Sequence, residues 1–468
     1  MVYCGKLSKA CLPCRQRRLL CDLRKGGCGQ CKRARLPCTG YRDTTAIRIE
    51  NQTSIVEQKA ISRRRTTTTA TQILSLSICH QARELFYHDH VFGVTKGYSF
   101  LSQYYSFVTG DAYLCRSIDA VSLAYLSHQK RSSAALAEAR RHYVDAVRLI
   151  RKALQSLELA AKDSTLLSTL LLDVYEKISN KGRLWDGSWT MHIKGALSLV
   201  QLRHDRHHHD PNHRHVLERL STNILISCAV TDSAVPDELL ILQKIIASPP
   251  KLRESELMAE FACLKRQAKF HLLPDDDIIR KATELDLQFL ELSLQMPPSW
   301  QHETMYVEAK SAHHYEKYHY IHTDEYVGQM RNVLRITRIL ICELIVSYGL
   351  ENSNKIARGS TLLNSGYAFT TIAQMTREIC ATVPEVLTQP ANAKSYLQSY
   401  RLIFPLYVAA QSVSAPEAMK NYAIQQLRHI ADYHAIENAS TVAKILESGE
   451  RRNPWEVYAL LGSYAFVC

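Results

Sequence analysis

The sequence predicts a chain of two unlike parts. A small metal-held module spans residues 1–43, and a large all-alpha domain spans residues 73–468. A flexible, basic, threonine-rich linker over 44–72 joins them. Three observations predict this. Seven of the fourteen cysteines fall in the first 38 residues. The net charge is +13, and residues 1–72 hold 16 Lys plus Arg against 4 Asp plus Glu, so +12 of it sits there. From about residue 73 onward, apolar residues recur every three to four positions, the rhythm of amphipathic helices. One short segment holding nearly all the excess charge implies contact with a polyanion.

The cysteine pattern is Cys11-x2-Cys14-x6-Cys21-x6-Cys28-x2-Cys31-x6-Cys38, which repeats itself with a period of 17 residues. So short a segment cannot bury a useful core, and metal ligation can supply its folding energy instead. The chain opens MVYCGKLSK, without the apolar run of a signal peptide. Clustered cysteines in that context favour metal over disulfides. Structural zinc takes four ligands. One zinc would leave two cysteines idle, and two separate zincs would need eight. Two zincs sharing two bridging thiolates satisfy the count. An iron–sulfur cluster would use only four thiolates. Cys4 falls outside the repeat and reads as a free thiol.

Between Cys14 and Cys21 lies RQRRLL, which has no helix breaker and follows Pro13, so a short helix is expected there. Arg15 and Arg18, three apart, would lie on similar faces and Arg17 elsewhere. Guanidinium groups suit both phosphate contact and bidentate bonding to guanine O6 and N7.

The stretch from Ala10 to Asp43, ACLPCRQRRLLCDLRKGGCGQCKRARLPCTGYRD, resembles the binuclear zinc cluster of the fungal Zn(2)Cys(6) transcription factors. The resemblance implies two zinc ions per chain, with Cys11 and Cys28 bridging. Cys14 and Cys21 would complete one zinc, and Cys31 and Cys38 the other. It implies that Arg17 and Arg18 read base edges of a CGG-type triplet in double-stranded DNA. Arg15, Lys32, Arg33 and Arg35 would hold phosphate, which positions the module while base contacts specify the site. A regulator of RNA polymerase II-type promoters, nuclear and working with the transcription machinery or coregulators, is the implied function. Two departures stand out. Leu20 occupies the place before the third cysteine where the family usually has Lys, and Gly26-Gly27 replace the usual proline.

The linker carries Arg63-Arg64-Arg65, a second basic patch suited to nuclear import or to phosphate contact. Ile47, Ser54 and Ile61 share a seven-residue spacing but make too short and polar a seam for a coiled coil. A monomer on one triplet and a homodimer made by the helical domain both stay open. In the helical part, Trp189-x2-His192-x2-Gly195-Ala196, preceded by Leu171-Leu172 and Tyr175-Glu176, resembles the family's regulatory region. Helices are expected near 256–272, 276–294, 326–348, 365–380, 395–413, 416–433 and 453–466, with Pro249-Pro250 and Pro297-Pro298 between helices. A soft boundary is expected within 297–325. The seven cysteines beyond residue 38 read as buried thiols.

Other clusters carry less. His204, His207, His208, His209, His213 and His215 read as an exposed loop. His313, His314, His319 and His322, alternating with tyrosines, read as a wet helix start, and His192 as a packing residue. There is no HExxH helix, no glycine-rich phosphate loop and no GxSxG elbow, so no enzyme is expected. No apolar run is long enough for a membrane span. The competing reading is a zinc-dependent nucleic-acid or protein interaction factor without strong sequence selectivity. RNA readers usually offer stacking aromatics, and the module has only Tyr3 and Tyr41 at its edges.

Overall fold

A computed structural model of the protein describes residues 8–43, 77–92, 98–104, 111–179, 188–202, 211–246, 249–353, 359–389, 393–434 and 436–461. The chain divides into two compact units, Met1–Ser75 and Leu76–Cys468. The linker patch Arg63–Arg65, the Ile47/Ser54/Ile61 seam, Cys4, and His204 through His209 lie outside the described residues.

In the first unit two one-turn helices, α1 (Leu12–Gln16) and α2 (Gly29–Arg33), pack around the cysteines. The second unit begins with α3 (Ile78–Phe86), α4 (Ala112–Lys130), α5 (Ser133–Ala153), the short α6 (Leu157–Ala160) and α7 (Asp163–Ser179). It continues through α8 (Ser188–Leu202), α9 (Pro211–Thr231), α10 (Asp237–Ile246), α11 (Pro249–Lys269) and α12 (Asp275–Gln295). After an antiparallel pair, β1 (His302–Tyr306) and β2 (Tyr318–His322), come α13 (Glu325–Ser353), α14 (Gly359–Ala381), α15 (Val383–Leu387), α16 (Ala393–Gln411), α17 (Glu417–Tyr433), α18 (Glu437–Glu447) and α19 (Pro454–Leu461).

The helices follow from their sequences. In α5, Ala135, Ala139, His142, Ala146, Ile150 and Ala153 are buried, at spacings of four and three, while the other faces carry Arg and Glu. Ser132 caps the helix, its hydroxyl accepting from the Ala135 N–H at 3.2 Å. Small alanines let α5 lie close on α4, which is buried on every side from Ser117 to Leu126 and so runs through the interior. Further along, α12, α13 and α14 are tied by a buried ion pair. Arg338 donates to both Asp286 oxygens at 2.8 and 2.9 Å, and the Tyr367 hydroxyl donates to Oδ2 at 2.5 Å. No helix among the described residues is long and apolar enough to cross a membrane.

Three expectations need correction. Of the His–Tyr stretch read as a helix start, His313 and His314 lie in a loop and His319 and His322 in strand β2, which pairs with β1 as His302↔His322, Thr304↔Tyr320 and Tyr306↔Tyr318. Tyr-His-Tyr-Ile-His alternates faces with period two and is rich in aromatics, which suits a strand. Pro297-Pro298 open a single 3-10 turn, Pro298–Trp300, that leads into this hairpin. His322 is anchored from α15: its backbone N–H donates to Glu385 Oε1 and its Nδ1 lies 2.8 Å from Oε2. The scattered cysteines are not uniformly buried, since Cys263 is exposed and Cys79 and Cys115 are half-buried. Of the histidine run, His213 lies within α9, and His215, also in α9, pairs with Glu218 at 3.4 Å. His192 sits 3.3 Å from the Tyr143 hydroxyl, linking α8 to α5.

Candidate metal centre and nucleic-acid interface

The 17-residue period of the sequence is a period of the backbone. Arg15 N–H donates to Cys11 O at 3.1 Å, and Lys32 N–H donates to Cys28 O at 3.1 Å. Leu19 N–H reaches Cys14 O at 2.9 Å and Leu36 N–H reaches Cys31 O at 3.0 Å. Arg18 N–H bonds Arg15 O, and Arg35 N–H bonds Lys32 O, both at 3.2 Å. Each half is therefore one helical turn closed by a Schellman motif. The residue past the C-cap in that motif is left-handed and usually glycine. Here it is arginine in both halves, Arg18 at φ 53° and Arg35 at φ 51°.

This corrects the expected helix between Cys14 and Cys21. The helix starts at Leu12 and ends at Gln16, Arg17 is its C-cap, and Arg18 leaves the helical path. Arg15 and Arg18 therefore do not share a helix face. The early start is physical: Pro13 fits the first turn, and the bond from Leu19 N–H to Cys14 O ends the helix.

The helices bring all six patterned cysteines together. Cys11, Cys14, Cys28 and Cys31 are buried, and Cys21 and Cys38 are half-buried against them. Sulfur separations are 3.6 Å for Cys11–Cys28, 3.6 Å for Cys11–Cys31, 3.5 Å for Cys14–Cys28 and 3.8 Å for Cys11–Cys21. A disulfide would require about 2.05 Å. Four thiolates placed tetrahedrally at about 2.3 Å from a zinc ion lie about 3.8 Å apart, so the donor set fits that metal. Two groups of four have ligand atoms within 4.8 Å of one another, Cys11/Cys14/Cys21/Cys28 and Cys11/Cys28/Cys31/Cys38, and they share Cys11 and Cys28. Burial pushes the Cys11, Cys14 and Cys31 thiols up, Cys31 to about 12. The Cys31 backbone N–H, donating to Cys28 Sγ at 3.3 Å, holds Cys28 down at about 6. So many sulfurs packed this closely cannot all ionise without a cation among them.

Two supports escaped the sequence reading. Asp22 accepts from the Gly29 N–H with both oxygens, at 3.0 and 3.1 Å, clasping the start of α2 to the first half. A Cβ on Gly29 would sit 2.7 Å from Asp22 Oδ2, so the position requires glycine. The Tyr41 hydroxyl donates to Arg24 O, and Arg42 N–H to Lys9 O at 3.2 Å, which closes the ends of the module. An aspartate directly after Cys21 and a glycine directly after Cys28 were the available signals. Gly26 and Gly27 both take positive φ, 85° and 122°, a turn that proline could not make.

Arg17, Arg18, Lys32, Arg33 and Arg35 are exposed, and Arg15 is half-buried. Asp22 is committed to Gly29 and to Arg24, at 3.3 Å. Among the described residues none of the five exposed cations has an acidic partner. Leu20 is 91% exposed and adds no charge to this surface.

A sulfur-organised core whose exposed cations have no acidic partner among the described residues suits a domain that binds metal and contacts a polyanion. Residues 9–46 match the fungal Zn(2)-Cys(6) binuclear cluster domain, and residues 84–239 match the fungal specific transcription factor domain. The chain thus carries a zinc- and DNA-binding cluster domain followed by a fungal transcription factor domain, the domain pair of a zinc-cluster transcription regulator. No curated protein and no solved structure gives a significant match to the chain.

Proposed function

We propose that the protein is a nuclear, sequence-specific regulator of RNA polymerase II-type promoters whose first module holds two zinc ions and reads a CGG-type triplet. Cys11 and Cys28 bridge the ions, Cys14 and Cys21 complete one, and Cys31 and Cys38 the other. The sharing of Cys11 and Cys28 between the two four-sulfur groups supports this assignment. Arg17 and Arg18 contact base edges, while Arg15, Lys32, Arg33 and Arg35 hold phosphate. The helical domain supplies regulation, contacts to coregulators and, where the chain pairs, the homodimer interface.

One observation carries the DNA reading. Arg18 and Arg35 occupy left-handed positions where glycine would relieve about 1 kcal/mol of strain. Both side chains are exposed and have no acidic partner among the described residues, so the described fold does not account for arginine there.

Titrating wild type, Arg18→Ala and Lys32→Ala against CGG-containing and scrambled duplexes, at several salt concentrations, tests the reading. Loss of Arg18 is expected to weaken binding to the CGG duplex about tenfold or more, and to the scrambled duplex less. Loss of Lys32 is expected to weaken both alike and to flatten the salt dependence by about one unit of slope. Equal binding of wild type to both duplexes at every salt level would overturn sequence specificity. It would leave a zinc-dependent interaction factor without strong selectivity.

A further inference from the structure

A second group of metal-type donors lies in the helical unit, away from the six patterned cysteines. Cys79 sits in the first turn of α3, whose cap is Ser77. Glu138 and His142 lie four apart on α5 and therefore on one face of it. Cys79 Sγ is 3.9 Å from His142 Nε2, and His142 Nε2 is 3.5 Å from Glu138 Oε1. The three ligand atoms lie within 4.8 Å of one another. A tetrahedral zinc with a sulfur at about 2.3 Å and nitrogen and oxygen at about 2.0 Å sets its ligands about 3.3–3.5 Å apart, a few tenths of an ångström inside these spacings.

The histidine is supported from behind. Asp119 Oδ2 on α4 lies 3.4 Å from His142 Nδ1, and Asp119 Oδ1 accepts from Arg83 Nε at 2.6 Å. Asp119 and His142 are both buried, so this arrangement is fixed by packing and not by solvent. A carboxylate on the far nitrogen is the usual way a metal-ligating histidine is oriented. Arg116 Nη1 also lies 3.2 Å from Nδ1. Two tautomers are thus available. In one, Nδ1 accepts from Arg116 and Nε2–H faces Glu138. In the other, Nδ1–H donates to Asp119 and the Nε2 lone pair faces Cys79 and Glu138. A cation among the three donors selects the second.

We infer that Cys79, Glu138 and His142 form a single zinc site in the helical domain, with a fourth position left for water or a small ligand. Binding takes Zn²⁺ from solution, releases the Cys79 thiol proton to solvent, and leaves His142 neutral. Thiolate and carboxylate together balance the ion's charge. Glu138 gives up its contact with the exposed Arg141 at 3.2 Å, a surface pair of small worth. The ion would pin α3 to α5, coupling the start of the helical domain to zinc supply. A reactive cysteine served by His142 and Asp119 is disfavoured by the environment, because burial and the neighbouring Asp119 and Glu138 carboxylates push the Cys79 thiol up.

Native mass spectrometry of the zinc-loaded full-length chain tests the site. Cys79→Ser and His142→Gln are each expected to carry one zinc fewer than wild type, and Cys263→Ser the same number. All these variants keep the N-terminal cysteines, so the difference does not depend on how many ions that module holds. Cys11→Ser reports on that module separately. Glu138→Gln, at a half-exposed position, keeps the fold and should hold this zinc about tenfold or more weakly in competition with a chromophoric chelator. Equal zinc counts in wild type and a helical Cys79→Ser would overturn the inference, as would unchanged chelator competition in Glu138→Gln.

Discussion

In the N-terminal unit the buried cluster consists of Cys11, Cys14, Cys28 and Cys31. In the helical unit it consists of residues such as Phe86, Tyr87, Leu123, Phe261, Phe289 and Tyr407, drawn from along the length of that unit. The first arrangement is local, since all six patterned cysteines fall within a span of 28 residues, from Cys11 to Cys38. The second is distributed, with contacts such as Arg338–Asp286 joining residues 52 apart. A local, metal-held fold concentrates its stability in a few bonds that one reagent removes. A distributed apolar core spreads its stability over many contacts, none of which is indispensable.

Chelation should break the comparison most sharply. Removing zinc is expected to unfold the N-terminal module outright, because structural zinc contributes roughly 10–16 kcal/mol to such small domains. The helical unit is expected to keep its helical circular dichroism under the same treatment. Loss of most helical signal on chelation would show that the second unit also depends on metal for its fold.

Within the helical unit, Asp286→Ala should have the largest effect of a single side chain. It leaves Arg338 buried without its partner and removes the acceptor of Tyr367. A cost of about 3–5 kcal/mol is expected, read as a lower midpoint in denaturant, with zinc content unchanged. A shift below about 1 kcal/mol would mean that water reaches the pair.

Gly29→Ala probes the clasp within the module. Its Cβ would meet the Asp22 carboxylate, so the clasp must open. About 1–3 kcal/mol of stability should be lost, seen as weaker zinc retention against a chelator. Wild-type retention would show that Asp22 moves aside freely.

Arg18→Gly should have the smallest effect on folding and the opposite sign. Glycine at φ 53° relieves strain, so the module should gain about 1 kcal/mol or less while losing affinity for DNA. A module that loses stability on this change would place Arg18 in the fold, not at the interface.

The cysteine set was legible in the sequence because metal ligation is written as spacing, and a repeated CxxC…C pattern has few other physical meanings. The helices expected near 276–294, 326–348 and 416–433 were legible from their apolar rhythm, and they match Asp275–Gln295, Glu325–Ser353 and Glu417–Tyr433 closely. The hairpin was missed because its two strands are only five residues each, too short for an alternating pattern to stand out. The end of α1 at Gln16 was missed because a Schellman closure on arginine defies the usual preference for glycine.

By itself the sequence determined the composition of the metal module, the place of the positive charge and the helical character of the remainder. These depend on residue type and spacing along the chain. Tertiary structure alone decided that Asp22 meets Gly29, that Cys11 and Cys28 fall in both four-sulfur groups, and that Cys79 comes to lie beside His142, 63 positions away. Those outcomes depend on which surfaces pack together. One-dimensional spacing does not encode the approach of residues from different helices, which is fixed only when the core closes around them.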